Sequence, residues 1–275
     1  MIRPADVRET PAILDFLRRH EATSMFPMGH LLGSGPATES WVFAKADRIV
    51  GYLGLTDNGT LLPQAPGADW SLLRSVLAGR RIAALVGPAD QCASLRTALR
   101  LDAVPARVNA VEAGFALDLA DLQMPPGAGF ELTPIRDTDM PLICDWRAAA
   151  LVETQGFAPD AAMAEARRSV LGWQAAQSHR ILWREGGALS VAGVNARIPQ
   201  VVQIGGVYTP PALRSQGHAR RAVAMLLQEA RQSGVKRAVL FAMSDHAARA
   251  YTAIGFRPSH SFGLCLFATP VQVTA

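Results

Sequence analysis

The stretch Val201–Gly234 changes its hydrophobic period at Gly217. Before that residue the chain is β-rich; after it, Ala219, Ala222, Val223, Leu226, Leu227 and Ala230 recur at helical spacing. The pattern predicts a strand over Val201–Thr209, a sharp turn at Arg214-Ser215-Gln216-Gly217-His218-Ala219, and a long amphipathic helix stopped at Gly234. Such a turn brings backbone N–H groups to the positive end of a helix, with small residues that allow close approach. That is the generic geometry for holding phosphate.

The rest of the chain is read around this stretch. A short strand at Ile2-Arg3 and a helix from about Pro11 open it, and residues 21–40, with Pro27, Gly33, Gly35 and Pro36, read as loop. Strands follow at Trp41–Lys45, Ile49–Leu55 and near Leu61, with turns at Ala46-Asp47-Arg48 and Asp57-Asn58-Gly59. Then come a helix over Trp70–Leu77, a strand over Ile82–Val86, a helix over Pro88–Leu99 and a strand over Ala113–Leu119. Gln123–Gly129, with paired prolines and two glycines, is the linker candidate. Beyond it the order restarts. Helices are expected over Met140–Val152 and Asp160–Ala176, then a hairpin of Ile181–Arg184 and Leu189–Ala196 across Glu185-Gly186-Gly187. After the central stretch follow a strand over Arg237–Ala242, a helix over Asp245–Ile254 and a strand over Ser261–Phe267. Gly205-Gly206 inside a strand marks a bulge or a close approach to the backbone. The matching element order suggests an internal duplication, with domains at 1–125 and 126–275.

Composition narrows the function. The 275 residues favour two domains, and 49% hydrophobic content is ample for a core. No apolar run is long enough to span a membrane, and the charged start MIRPADVRET lacks a signal-peptide core, so a cytoplasmic location without membrane partners is expected. Cys92, Cys144 and Cys265 form no metal-binding spacing, so reduced buried thiols and no metal are expected. The net charge of +4 comes without basic–aromatic runs, so nucleic acid is not an expected partner. Arg214, Arg220 and Arg221 flank the turn, either as a solvated helix start or as an attraction for a polyanion. His218 and His246 lie close by, with packing or surface roles the ordinary reading. The P-loop, dinucleotide, zinc-protease and nucleophile-elbow motifs are all missing.

What remains is a conjunction: Val207-Tyr208-Thr209 ending a strand, Arg214-x-x-Gly217-x-Ala219 at the turn, and Ala247-x-x-x-Tyr251-x-x-x-Gly255-Phe256 on a later helix. This region resembles the GNAT superfamily of acyl-CoA-dependent N-acetyltransferases, whose pyrophosphate loop reads [QR]-x-x-G-x-[GA]. The later helix matches at Ala247, Tyr251, Gly255 and Phe256, while Ser244 stands where asparagine is common, which puts one contact to the pantetheine arm in doubt. The close match covers Val201–Phe267.

The resemblance implies an α/β fold of two tandem GNAT-like domains, each a mostly antiparallel mixed sheet flanked by helices. It implies acetyl-CoA as acyl donor and an unidentified small amine or peptide as acceptor, with transfer in a ternary complex. Val207, Tyr208 and Thr209 would pair with the pantetheine arm. Backbone N–H groups of Gln216, Gly217, His218, Ala219 and Arg220 would hold the pyrophosphate, with Arg214, Ser215, Ser244 and Ala247 around it. The Val207 N–H would polarise the thioester carbonyl. Tyr251 would protonate the leaving thiolate; its other reading is a core aromatic. The base would be Glu153, in the loop after the first helix of the second half; Asp245, a water chain and a plain exposed carboxylate stay open as alternatives. Trp146 and Trp173 either wall the acceptor site or belong to the core. The first half has Gln64-Ala65-Pro66-Gly67-Ala68-Asp69-Trp70 where the turn should be, and Asp69 would repel phosphate. It therefore reads as a degenerate half that shapes the acceptor cleft. A non-catalytic acyl-CoA-binding module, a longer acyl group and a non-amine acceptor remain as alternatives, and monomer and homodimer are both open.

Overall fold

The computed structural model describes residues 1–46 and 48–274. Asp47, in the expected turn Ala46-Asp47-Arg48, lies outside the described residues. The chain forms two compact units. One comprises Met1–Ala113 with His260–Ala275; the other is Gly114–Ser259.

In chain order the elements are β1 (Ile2–Pro4), α1 (Thr10–Arg18), α2 (Glu21–Leu31), β2 (Thr38–Lys45), β3 (Arg48–Thr56), β4 (Thr60–Gln64), α3 (Leu73–Val76), β5 (Arg81–Pro88), α4 (Ala89–Ala98) and β6 (Ala106–Asp118). The same order then recurs as β7 (Phe130–Pro134), α5 (Met140–Gln155), α6 (Pro159–Ala175), β8 (His179–Arg184), β9 (Gly187–Ile198), β10 (Val201–Tyr208), α7 (His218–Gln232), β11 (Arg237–Ala242), α8 (Asp245–Thr252) and β12 (Arg257–Gln272). No helix is long and apolar enough to cross a membrane among the described residues.

The first unit's sheet runs β1-β2-β3-β4-β5-β12. Only β4 and β5 are parallel neighbours there; β12, from the end of the chain, lies antiparallel to β5 with Leu264 opposite Val86. The sequence places the whole C-terminal segment with the second half, whereas β12 completes the first unit's sheet from His260 onward. Its Cys265 and Phe267, with Val273 just beyond the strand, fill the core around Leu53, Leu61 and Leu85. All three cysteines are free and buried.

In the second unit the last part of β6 lies beside β11, and the order continues β11-β10-β9-β8-β7. One face is covered by α7 and α8, with Val223, Leu227, Leu240, Tyr251 and Phe256 in its core. A second core joins α5 and α6 to the sheet through Trp146, Val170, Ile181 and Tyr208. The hairpin turn between β8 and β9 puts Glu185 at φ 52° and Gly186 at φ 77°, the left-handed pair such turns require.

Several elements differ from the sequence reading. Residues 21–31 are helix rather than loop: burial of Met25, Pro27 and Met28 overrides the proline and the poor periodicity. The helix expected over Trp70–Leu77 shrinks to the single turn α3. Helix α5 continues to Gln155, so Glu153 lies in its last turn rather than in a following loop. No breaker precedes Gly156, which caps the helix at φ 62°.

Candidate functional site

Parallel pairing between β10 and β11 extends from Val201 opposite Arg237 to Gln203 opposite Val239 and stops there. Beyond Gln203, β10 runs on without a partner on that side. On its other side Gly206 and Val207 fall inside a bulge, between Gly205 opposite Gly193 and Tyr208 opposite Val191. The strand edge at Val207 is therefore open on the β11 side. The glycines are needed because this chain's own side chains approach them. A Cβ on Gly205 would fall 1.8 Å from Asn195 Nδ2, and one on Gly206, at φ 61°, would fall 2.3 Å from His179 Nε2.

The turn after β10 passes through Ser215 at φ 63° and Gly217 at φ 80° before α7 begins. Gly217 has the N-cap position without a capping side chain. Its carbonyl accepts from the Arg221 N–H at 3.0 Å, closing the first turn. The N–H groups of His218, Ala219 and Arg220 then have no intrahelical acceptor. They project, with the helix dipole, from a surface where glycine leaves room.

These features meet in a cleft of about 430 Å³. It is lined by Val207, Tyr208 and Thr209 from β10, by Arg214, Ser215, Gly217, His218, Ala219 and Arg220 from the turn, by Ser244, Ala247 and Tyr251 from the α8 region, and by Glu153. Gln216 is absent from the lining; its side chain points back to the Ala212 carbonyl. Asp245, Trp146 and Trp173 do not line the cleft either. Trp146 is buried against Tyr208, 6.4 Å between ring centroids, and Trp173 stacks on His179 at 3.7 Å. Sequence reasoning missed Leu213, Arg249 and Ala250 on the wall and gave His246 only a packing or surface role. Helical spacing of three and four residues from His246 could have pointed to Arg249 and Ala250.

The three arginines around the turn have different partners. Arg214 pairs with Glu153 at 2.7 Å, donates from Nε to the Thr209 carbonyl at 2.9 Å and lies over the Tyr208 ring. Arg221 is held by the carbonyls of Pro125, Pro126 and Gly127 and lies 3.9 Å above Phe130, so it braces the segment expected as a linker, which lies within the second unit. Arg220 lines the cleft, and its Nε is sealed from solvent without a partner. Glu153 is the cleft's one carboxylate among the described residues; besides Arg214 it accepts from the Tyr208 hydroxyl at 3.0 Å. Burial, followed by the adjoining Glu153 carboxylate, pushes the Tyr208 phenol up.

Tyr251 belongs to the core and also reaches the cleft wall. Its ring is buried in the core, edge-on to Phe256 at 6.0 Å, while the residue also borders the cleft. Burial pushes its phenol up to about 12, so it stays a neutral donor across the physiological range. Ser244 Oγ accepts from the Ala247 N–H at 3.2 Å, capping α8. A capping role explains why serine is acceptable where the resemblance implies asparagine.

The corresponding place in the first unit is filled. A Cβ on Gly87 of β5 would fall 2.9 Å from the Pro63 carbonyl on β4. Gln91 accepts from the Ala65 N–H at 2.6 Å, and Gln64 accepts from Thr23 and Ser24 at 2.7 and 3.1 Å. No phosphate turn follows β4.

Residues 142–256 match the family model described as the acetyltransferase (GNAT) family. No curated protein is significantly similar in sequence. Among solved structures, a GNAT-family acetyltransferase from Colwellia psychrerythraea is 12% identical with a TM-score of 0.57, covering 97% of this chain and 99% of that one. A tandem GNAT protein from the clavulanic acid biosynthesis pathway is 15% identical with a TM-score of 0.58, covering 100% and 99%. A GCN5-related N-acetyltransferase from Kribbella flavida is 18% identical with a TM-score of 0.56, covering 96% and 95%. At such identities the structural likeness speaks for the fold, and the family model speaks for the site-bearing segment. The chain has the tandem GNAT fold, and its residues 142–256 belong to the acetyltransferase (GNAT) family.

Proposed function

We propose that this protein is an acetyl-CoA-dependent N-acetyltransferase that moves an acetyl group to a primary amine by direct transfer in a ternary complex, with its one working site in residues 126–275. The observation that carries the reading is the meeting, in one cleft, of an open strand edge, an uncapped helix N-terminus and a buried phenol.

In this reading the edge at Val207–Thr209 pairs with the amide groups of the pantetheine arm. The N–H groups of His218, Ala219 and Arg220, with the Arg220 guanidinium, hold the pyrophosphate. The Val207 N–H donates to the thioester oxygen as negative charge develops there. The amine nitrogen forms its bond to the carbonyl carbon, and the carbon–sulfur bond breaks. Tyr251 gives its proton to the departing sulfur. Glu153, directly or through water, takes the proton the amine must lose, which requires Arg214 to release part of its hold. Both partners of that pair are more than a third exposed at the side chain, so the pair is weak and exchange is cheap. Residues 1–125 act as scaffold without a donor site.

Calorimetric titration with acetyl-CoA, followed by thiol release over a panel of primary amines, tests the reading. Saturable binding and amine-dependent thiol release are expected. A folded protein that does not bind acetyl-CoA would sink it, and binding with no turnover on any amine, alcohol or thiol would leave a non-catalytic acyl-CoA-binding module.

A further inference from the structure

In the second unit, two arginines have a guanidinium Nε sealed from solvent with no hydrogen-bond partner: Arg220, in the turn already described, and Arg147 on α5. Arg147 makes no ion pair among the described residues, and it does not line the cleft. Its guanidinium stands over the Trp173 indole, 5.3 Å from the ring centroid. The same indole stacks on His179 at 3.7 Å. Its edge also reaches the bulge of β10, where a Cβ on Gly206 would come within 3.2 Å of Trp173 Cζ2. Gly206 immediately precedes Val207 in the cleft wall, a step of about 3.3 Å along a strand.

The charges around Arg147 do not balance it. Glu165 is the carboxylate that acts on it, but that group is held by Arg168 and by Ser169 at 3.2 Å. Arg180, the other cation acting on His179, is already bound to Glu229 at 3.3 Å and to the carbonyls of Gln177 and His179. The His179 Nε2 is buried and unpartnered as well. A guanidinium cannot shed its proton inside a protein, so the sealed Nε of Arg147 is costly without an acceptor, while its two Nη groups are not sealed and can meet an anion. Its planar fork matches a carboxylate.

We propose that Arg147, on the Trp173 face, is the carboxylate anchor for the acceptor, so that the acceptor is an amine bearing a carboxylate. This rests on the reading of the second unit as an amine acyltransferase.

The test is an equilibrium one. The intact protein, saturated with CoA, is titrated with β-alanine, 4-aminobutyrate and L-glutamate and with their primary amides, following indole fluorescence and heat. At least one carboxylate is expected to bind about tenfold to a hundredfold more tightly than its amide, the range for a hydrogen bond to a charged group. Arg147→Gln should remove that preference without lowering the melting temperature or the affinity for acetyl-CoA. Arg147→Met, which keeps the stem packed on Trp173, serves if the glutamine variant folds poorly. Trp173→Phe should lose part of the fluorescence response while the heat of binding persists. Carboxylates and amides that bind equally, or not at all, would overturn the proposal, as would a carboxylate preference that survives in both Arg147 variants. Carboxylate binding through Arg147 without acyl transfer would instead fail the acyltransferase reading alone. Acetylation of amines irrespective of a carboxylate would fail the anchor alone.

Discussion

In the proposed reaction Tyr251 is both a packed core residue and the proton donor. Its ring fills the core while its edge borders the cleft, so Tyr251→Phe keeps the packing and removes only the proton. The expected outcome is a fall in kcat of about 10²-fold or more, with acetyl-CoA affinity within twofold, measured by steady-state kinetics and calorimetry. Full turnover in that variant would return Tyr251 to a purely structural role. Gly217 carries a different demand: φ of 80° and, for any side chain, proximity to Arg220 Nη2 at 3.2 Å. Gly217→Glu adds backbone strain and a like charge where phosphate should sit. Acetyl-CoA affinity should drop by about a hundredfold, roughly 3 kcal/mol of lost charge-assisted bonding. Unchanged affinity would show that the turn is not the donor site. Both residues were legible in the sequence because each belongs to a local motif. The partners of Glu153 and Arg214 were not, since a hydrogen bond across 61 positions leaves no periodic trace.

At the scale of elements, the decisive feature is the parting of β10 from β11 after Gln203. The bulge at Gly206 is locked from behind by His179, whose ring reaches over Gly193, where a Cβ would lie 2.1 Å from it. Gly206→Ala should therefore cost about 1–3 kcal/mol, from the positive φ and the clash. In a His179→Ala background the clash with the imidazole disappears, and only the backbone cost and the 3.2 Å approach to Trp173 Cζ2 should remain. Urea denaturation of the four proteins in this cycle reads the coupling directly; additive effects would mean that His179 does not hold the bulge. The Gly205-Gly206 pair announced a bulge in the sequence, but nothing in it said which side chains came close. The helix over residues 21–31 was illegible for a related reason: tertiary burial of Met25 and Met28 outweighs local propensity.

At the scale of the whole molecule, two expectations follow. The place in the first unit that would correspond to the donor cleft is filled by Gly87 against Pro63 and by Gln64 and Gln91, so acetyl-CoA should saturate at one per chain. A stoichiometry of two by calorimetry would contradict this. Stability should also fall on mild acidification. Burial, and then the neighbouring Arg147, hold the His179 imidazole down at about 3, against 6.5 for the free group. The unfolded chain takes up that proton first, so stability is full above pH 6.5 and is lost as pH falls toward 3. As pH falls from 6.5 toward about 5, where carboxylates begin to contribute, the loss approaches about 1.4 kcal/mol per unit. Melting temperatures over this window should show it, and His179→Asn should flatten the slope. The repeated element order, the glycine turn before α7 and the tyrosine helix follow from local pattern alone, because turn chemistry and hydrophobic period act over a few residues, whereas the expected boundary at 125/126 does not coincide with the division of the units after Ala113. Which unit β12 completes, where two parallel strands part, and which arginine is left without an ion pair among the described residues were decided only by tertiary structure. Those outcomes depend on which distant side chains compete for the same space and charge.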